Sequence, residues 1–212
     1  MAKRSTVAAA QPALLPLMET LEDVRDRAKQ CQACDLYKNA TQTVFGEGVA
    51  HPKIMIVGEQ PGDQEDLQGR PFVGPAGKLL DSALEEAGVD RAKTYVTNVV
   101  KHFSWEPRGK RRIHKKPNGM EVAACRQWLD LEIELLKPEV IVCLGATAAQ
   151  ALLGREFRVT QRRGEVMASN WAPYVMATVH PSSILRAPDQ ATRATEMERF
   201  ITDLKKLAKF AK

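Results

Sequence analysis

The sequence has no apolar run long enough to cross a membrane. Nowhere in its 212 residues is there a stretch approaching the ~18 apolar residues of a spanning helix. It also has no internal repeat and no linker-like segment, and its length suits one sizeable core rather than two domains. The basic start is broken by Gln11 and two prolines, which predicts a flexible leader over 1–16 rather than a signal peptide. We therefore expect a cytoplasmic monomer with one domain over 17–212 and no membrane partner.

Cysteine is scarce, with four residues in the chain. Without an export signal a disulfide framework is not expected, and a metal or cluster site is the better interpretation. Cys31 and Cys34 form a Cys-x-x-Cys pair, which is half of a site for iron or zinc. Cys125 and Cys143 would complete the site by count. However, Cys143 lies in the apolar run EVIVCLG, where a free cysteine usually serves as a small buried hydrophobe.

Positive charge is concentrated in one segment. The chain has a net charge of +5, and residues 101–116 carry seven basic side chains against the single acid Glu106. By the same count, the remaining residues have a net charge of about −1. A local positive segment of this kind predicts a polyanion as partner, and nucleic acid is the leading candidate. The same segment, RGKRRIHKKPNG, holds one histidine, His114.

Apolar strand-like runs alternate with segments of helical spacing. The runs occupy 53–58, 94–100 and 139–145, followed by RGEVM and PYVMATV. Helical spacing is found from about Lys78 to Ala87, from Glu121 to Leu136 and from Arg193 to Phe210. This alternation predicts a three-layer α/β/α fold with a central, mostly parallel, four-stranded sheet. Because such sheets bind ligands at the carboxyl ends of their strands, the loops that begin at Gly58, Asn98, Gly145 and His180 are the candidate site.

The first of these loops, over 58–77, is long and acidic. It cannot be a phosphate-binding loop of the familiar kind, since it lacks the lysine and carries carboxylates where a phosphate would bind. Its sequence GEQPGDQEDLQGRPFVGPAG, followed by VTNVVKH and ATVHPSS, resembles the three motifs of the iron–sulfur uracil-DNA glycosylases of family 4. The resemblance extends from about Cys31 to the C-terminal helix. It implies a glycosylase-like fold, uracil-containing DNA as the partner and uracil as the product.

The basic segment is similar to the signature of one branch of that family, UdgX. Members of this branch become covalently trapped on uracil-containing DNA through the histidine of a GKRRIHKKP-like insertion. The resemblance implies that His114 is the nucleophile and that single-stranded DNA is the favoured substrate. It also implies that His180 donates a hydrogen bond to the uracil oxygen that gains negative charge. Glu59 would stabilise the sugar cation or orient the nucleophile.

Further residues are implied by the same motifs. Base flipping requires a pocket that reads the edge of the extruded base and stacks on its face. On this match the substrate-binding residues are Gln60, Gly62, Asp63, Phe72, Asn98 and Arg112. The residues implied to contact the DNA backbone are Lys110, Arg111, Lys115, Ser182 and Ser183. Gln60 occupies the place where many relatives outside this family carry a water-activating aspartate.

The family pattern has its third cluster ligand at the position of His102. The implied set is therefore Cys31, Cys34, His102 and Cys125, holding a [4Fe–4S] cluster. Cys143 is the alternative to His102 as the fourth ligand. A zinc ion would suit three cysteines and a histidine equally well. Two rival functions also stay open: a turnover glycosylase in which His114 only binds phosphate, and a non-catalytic iron–sulfur module that holds uracil or abasic DNA.

Overall fold

The computed structural model describes residues 20–211. The leader expected over 1–16 therefore lies outside the described residues. One six-stranded sheet and a separate two-stranded sheet form the framework. In chain order the strands are β1 (Glu47–Gly48), β2 (Ile54–Gly58), β3 (Tyr95–Asn98), β4 (Trp105–Arg108), β5 (Arg111–His114), β6 (Val140–Leu144), β7 (Val166–Ala168) and β8 (Tyr174–Thr178). The helices are α1 (Leu21–Lys29), α2 (Asp63–Gln68), α3 (Pro75–Glu86), α4 (Gly119–Leu136), α5 (Ala146–Leu153), α6 (Val159–Arg162), α7 (Pro181–Leu185) and α8 (Gln190–Lys205).

The large sheet has the strand order β1-β3-β2-β6-β8-β7. Its four inner strands are parallel, and the short edge strands β1 and β7 are antiparallel to their neighbours. The inner strands β2, β3 and β6 are buried at every position, as expected for parallel strands covered on both faces. The predicted four parallel strands are therefore present, and two edge strands extend them.

Helices cover both faces of the sheet. On one face, α1, α4 and α5 pack against residues such as Met55, Val57 and Ile141. On the other face, α3, α7 and α8 pack against residues such as Ile56, Val96 and Val142. The alternation of these side chains between the two cores follows from the period of two along a strand. The predicted three-layer α/β/α fold is confirmed. Among the described residues, every helix is too short or too polar to span a bilayer.

The helices begin earlier than their apolar spacing predicted, because capping residues set their first turns. The helix α3 begins at Pro75 after Gly74, and α8 begins at Gln190, where Asp189 accepts a hydrogen bond from the amide of Thr192. Asn118 caps α4 and forms a capping box with Glu121. The α8 helix ends at Lys205 rather than at Phe210, and the chain continues in turns.

The basic segment is a β-hairpin rather than a loop. β4 and β5 pair antiparallel, with Trp105 opposite His114 and Arg108 opposite Arg111. Gly109 has φ +60° at the turn, the conformation that a two-residue type II′ turn requires of its first central residue. The amide of Lys115 donates to the carbonyl of Ser104 at 2.9 Å and closes the base of the hairpin. His114 thus lies at the end of a strand that is outside the main sheet.

Candidate active site

The carboxyl ends of β2, β3, β6 and β8 bring four chain segments to one edge of the sheet. Gly58 and Asn98 are the last residues of neighbouring strands and lie in register. Backbone bonds from Val99 to the Gly58 carbonyl and from Val100 to the Glu59 carbonyl, both 3.0 Å, continue the pairing beyond the strands. Gly145 directly follows β6, and His180 lies two positions after the end of β8. The four loops predicted from the strand pattern therefore meet, as expected for a parallel sheet.

His180 is held as a neutral ring with a defined proton position. Burial lowers its pKa to about 4, and the charge of Arg186 acts in the same direction. Its Nδ1 accepts the amide of Ser182 at 3.2 Å at the start of α7. A backbone amide can only donate, so Nδ1 carries no proton and the proton of the neutral ring is on Nε2. His180 therefore presents an N–H donor at the edge of the sheet.

Gly58, Phe72 and Asn98 form a tightly packed corner beside His180. The Phe72 ring stacks on the His180 ring with centroids 6.2 Å apart, and Phe72 itself has φ +56°, in the left-handed region. A Cβ at position 58 would lie 2.3 Å from Oδ1 of Asn98 and 2.7 Å from Cζ of Phe72. Only glycine fits there. A Cβ on Gly77 would lie 1.7 Å from the Phe72 carbonyl oxygen, so a second glycine allows the loop to hold this ring.

A buried ion pair supports the backbone of Asn98 from behind. The side chains of Lys101 and Glu132 are fully buried, and Nζ lies 2.5 Å from Oε2. The same Nζ donates to the Asn98 carbonyl at 2.8 Å. Glu132 also accepts from the hydroxyls of Tyr95 and Thr97 and from the Gly46 amide, so its lone pairs are used. The Asn98 side chain is 3 % exposed and, within 20–211, its amide makes no hydrogen bond to the chain. That amide remains free to bind a ligand.

His114 and Glu59 face each other across the mouth of the site. Nε2 of His114 lies 3.5 Å from Oε1 of Glu59, with the two side chains 49 % and 22 % exposed. The separation is longer than the 2.7–3.2 Å of a good hydrogen bond, so the two groups are neighbours without being held together. The hydroxyl of Thr147, at the start of α5, donates to the other oxygen, Oε2. One carboxylate oxygen is therefore held by the chain and the other faces the imidazole.

Gln60, predicted to line the base pocket, binds the hairpin through its side-chain amide. Nε2 donates to the carbonyls of Ser104 and Lys115, both at 3.1 Å. Oε1 accepts the amide of Ser104 at 3.0 Å. Because Ser104 and Lys115 are the two ends of the hairpin, this single side chain joins both of them to the loop after β2. The side chain is 7 % exposed.

Arg112 and Asp63, both predicted substrate-binding residues, bind each other. Nε of Arg112 lies 2.7 Å from Oδ1 of Asp63, and Nη1 lies 2.5 Å from Oδ2 of the buried Asp66. The guanidinium also lies 5.4 Å from the Phe103 ring centre and 5.6 Å from that of Trp105. These contacts attach β5 to α2. Gly62, the remaining predicted residue of this loop, is the N-cap of α2, and its amide donates to Glu65 at 3.1 Å.

The predicted DNA contacts lie on two surfaces beside the site. Lys110, Arg111 and Lys115 are exposed on the hairpin, and no ion pair joins them to a carboxylate among residues 20–211. Ser182 is already used, since its amide and hydroxyl both contact Nδ1 of His180. The Ser183 hydroxyl donates to the His180 carbonyl at 2.7 Å. The cations are therefore available to phosphates, and the serines hold the turn that carries His180.

The predicted cluster ligands are only partly brought together. In the part of the chain that is described, no group of three or more His, Cys, Asp or Glu side chains is arranged to hold a metal ion. Burial raises the pKa of Cys125 to about 12, and the nearby thiols Cys31 and Cys34 add to this. His102 is turned elsewhere, with Nε2 2.9 Å from the Thr43 hydroxyl. The thiols thus neighbour one another, but the four residues do not form a closed site.

Two N–H donors point at these sulfur atoms. The Trp128 indole donates to Sγ of Cys31 at 3.2 Å, and the Lys101 amide donates to Sγ of Cys125 at 3.1 Å. Donors of this kind stabilise thiolates bound to iron. Cys143 is fully buried within β6, where burial raises its pKa to about 12. Its surroundings are those of an apolar core residue, as its position in EVIVCLG predicted.

The sequence did not indicate Thr147, Ser104 or the pair of Lys101 and Glu132. Thr147 lies two positions after Gly145, one of the strand ends already singled out, so the topology could have pointed to it. The pair could not have been found, because its partners are 31 positions apart and nothing in either neighbourhood marks them.

Comparisons with known proteins agree with this geometry. Residues 45–205 match the sequence profile of the family described as Uracil DNA glycosylase superfamily. A Type-4 uracil-DNA glycosylase of Thermotoga maritima is 40 % identical over 196 residues, covering 92 % of this chain and 96 % of that protein. One from Archaeoglobus fulgidus is 38 % identical over 197 residues, covering 90 % and 92 %. A Type-5 uracil-DNA glycosylase of Thermus thermophilus is 33 % identical over 123 residues, covering 52 % and 53 %.

Proposed function

The chain belongs to the uracil DNA glycosylase superfamily, and from that premise we propose that it excises uracil from DNA and then stays bonded to the abasic sugar through His114. The observation that carries the second part is the position of His114. Its Nε2 lies 3.5 Å from Oε1 of Glu59, on the same edge of the sheet as Asn98 and His180. A histidine that only gripped phosphate would have no need to face a carboxylate at the centre of the site.

Recognition uses the corner formed by Gly58, Phe72 and Asn98. A flipped uracil would stack on the Phe72 ring and present its polar edge to the free Asn98 amide, which offers both a donor and an acceptor. Because Lys101 fixes the Asn98 carbonyl, the strand end cannot easily shift to accept a base with a different edge. Specificity then follows from an amide whose position is set by the core.

Bond cleavage uses two groups that are already in position, the N–H donor of His180 and the carboxylate of Glu59. The electron pair of the C1′–N1 bond leaves with uracil, and the Nε2 proton of neutral His180 donates a hydrogen bond to the uracil oxygen that gains negative charge. The sugar becomes an oxocarbenium-like cation, which the carboxylate of Glu59 stabilises. The uracil anion then takes a proton from solvent.

The adduct forms when Nε2 of neutral His114, with its proton on Nδ1, attacks C1′. The new C1′–N bond leaves a positive charge on the imidazole, and loss of the Nδ1 proton to solvent makes the alkylated ring neutral. From this neutral ring the leaving group would be an imidazolide anion, which leaves poorly. A carboxylate–sugar intermediate, as in retaining glycosidases, is by contrast hydrolysed readily. The product is therefore a protein–DNA complex rather than a free abasic site.

The exposed cations of the hairpin would bind the DNA backbone. Lys110, Arg111 and Lys115 lie next to His114 without carboxylate partners among the described residues, and such contacts position nucleic acid without reading sequence. Single-stranded DNA is favoured in this proposal because an unpaired base does not have to be removed from a duplex.

We also propose that the chain holds a [4Fe–4S] cluster on Cys31, Cys34 and Cys125. The Cys-x-x-Cys pair and the two N–H donors to sulfur support it. His102 as the fourth ligand requires its ring to leave Thr43, and Cys143 requires a thiol to leave the sheet, so His102 is the smaller rearrangement. The purified protein should absorb at roughly 400 nm. We expect this band to weaken in His102→Ala and to persist in Cys143→Ala.

The test of the main proposal is a denaturing gel of the protein with a uracil-containing single-stranded oligonucleotide. A shifted band that survives boiling in detergent is expected. We expect His114→Ser to lose this band and to release abasic product, because the glycosidic bond can still break and water replaces the imidazole. Free abasic product from the unchanged protein would instead indicate turnover. Unchanged DNA would indicate a binding module.

A further inference from the structure

Thr147 contacts Glu59 and has no part in the steps above. Its hydroxyl donates to Oε2 of Glu59, and its side chain is 8 % exposed. The chain reaches this point through Gly145, which has φ +89° and whose amide donates to the Thr178 carbonyl at 2.9 Å. A Cβ on Gly145 would lie 3.1 Å from Cβ of His180. The turn that begins α5 is therefore packed against the site and delivers the hydroxyl to the carboxylate.

The two oxygens of Glu59 have different neighbours. Oε2 is held by Thr147, whereas Oε1 faces Nε2 of His114 at 3.5 Å. A glutamate side chain has several rotatable bonds, and holding it in one rotamer costs conformational entropy. The half-exposed His114 is too far away to hold Glu59 by a hydrogen bond. A hydroxyl bond to a charged carboxylate is among the stronger hydrogen bonds in proteins, so Thr147 is the group that orients this side chain.

We propose that Thr147 is a positioning residue for the nucleophilic step, holding Oε2 of Glu59 so that Oε1 stays directed at the space in front of His114. This inference rests on the proposed function. In catalytic sites built from a nucleophile and an acid–base partner, a third group commonly orients the partner. Here the order would be Thr147, Glu59 and His114, with the third group contributed by the helix that follows β6.

The test is the single-turnover rate of adduct formation, measured on a saturating uracil-containing oligonucleotide. Thr147→Val keeps the shape of the side chain and removes the hydroxyl, and we expect it to slow the reaction roughly tenfold to a hundredfold. Thr147→Ser keeps the hydroxyl and should restore most of the rate. The oligonucleotide concentration that gives half-saturation should be unchanged in both. Thr202→Val is the matched control, since Thr202 is an exposed helical threonine far along α8.

A double-mutant cycle tests whether Thr147 acts through Glu59. In a Glu59→Gln background the carboxylate is gone, so Thr147→Val should have little further effect. Equal rates for Thr147→Val and the unchanged protein would overturn the inference. So would a serine variant as slow as the valine variant, or effects of the two substitutions that multiply. If the unchanged protein formed no adduct at all, it is the proposed function that would fail. Melting curves of each variant separate misfolding from mispositioning.

Discussion

The half of the site proposed to read the base and the half that carries the proposed nucleophile are built differently. Asn98 and His180 follow buried parallel strands, and behind Asn98 lies an ion pair with no solvent exposure. His114 lies on an exposed two-stranded hairpin that shares no backbone ladder with the main sheet. Side chains attach that hairpin to the domain, chiefly Gln60 and Arg112. The proposed recognition residues thus extend the core, whereas His114, the proposed nucleophile, lies on a hairpin attached from outside it.

This difference teaches where each half can tolerate change. A base-reading amide must not move, because a shift of its donor and acceptor would admit other bases. The nucleophile can be attached more loosely, since it has to reach C1′ only after the bond begins to break. Substitutions in the first half should therefore affect folding and uracil release together. Substitutions in the second half should slow adduct formation, retain uracil release and cost less stability.

The largest effect is expected for Lys101→Met. The change leaves the Glu132 carboxylate buried without a counter-charge, which costs about 3–5 kcal/mol of unfolding free energy. Uracil release should also slow, because the Asn98 carbonyl loses its donor. Urea denaturation and release of uracil from an oligonucleotide measure the two effects. Adding Glu132→Gln should recover part of the stability by removing the unpaired charge; a single variant as stable as the unchanged protein would contradict this account.

A smaller effect on the same half is expected from pH. The pKa of His180 is about 4 in the folded protein, below the value of roughly 6.5 in an unfolded chain. Between these values the unfolded chain binds the extra proton, so the unfolding free energy falls as the pH is lowered. The contribution of His180 should decrease by about 2–3 kcal/mol between about pH 7 and pH 4.5. We expect His180→Gln to show a correspondingly flatter profile of stability against pH, and identical profiles would refute the assignment.

The smallest effect on stability, and a specific one on trapping, is expected for Gln60→Glu. A carboxylate at this position would face the carbonyls of Ser104 and Lys115 and would lose both donated hydrogen bonds. Adduct formation should slow roughly tenfold, with uracil release retained and a stability loss of about 1–2 kcal/mol. Parallel gel and release assays measure this. Gln68→Glu, the same change on the exposed end of α2, serves as the control, and equal losses of release and trapping would break the comparison.

Much of the fold was predictable because burial leaves a direct mark on the sequence. Strands such as β6 are apolar at every position, so the inner parallel strands and the three-layer arrangement could be inferred from the sequence. The edge strand β1 is only two residues long and has no such pattern. The meeting of Gly58, Asn98, Gly145 and His180 followed from topology alone, since parallel strands end at one edge. Their chemistry was implied by the motifs that these residues belong to.

The roles within the site were harder to predict, since they depend on distances between side chains. Gln60 and Asp63 stand in the first motif, and that position suggested contact with the base. In the structure both bind the hairpin, because the strand pairing of Trp105 with His114 brings Ser104, Lys115 and Arg112 within their reach. The basic segment indicated charge but not β structure, as charge runs have no period that distinguishes a strand from a loop.

Because its base is closed, the hairpin should be removable or transferable as a unit. The Lys115 amide and the Ser104 carbonyl are bonded at 2.9 Å, so the intervening segment enters and leaves the domain at a single point. Such a segment can be deleted or exchanged without cutting the chain elsewhere. Removing it and rejoining its ends with a short turn should leave the α/β/α layers standing. Transplanting it, together with a glutamine at the matching place, would test whether a related scaffold then forms the proposed adduct with DNA.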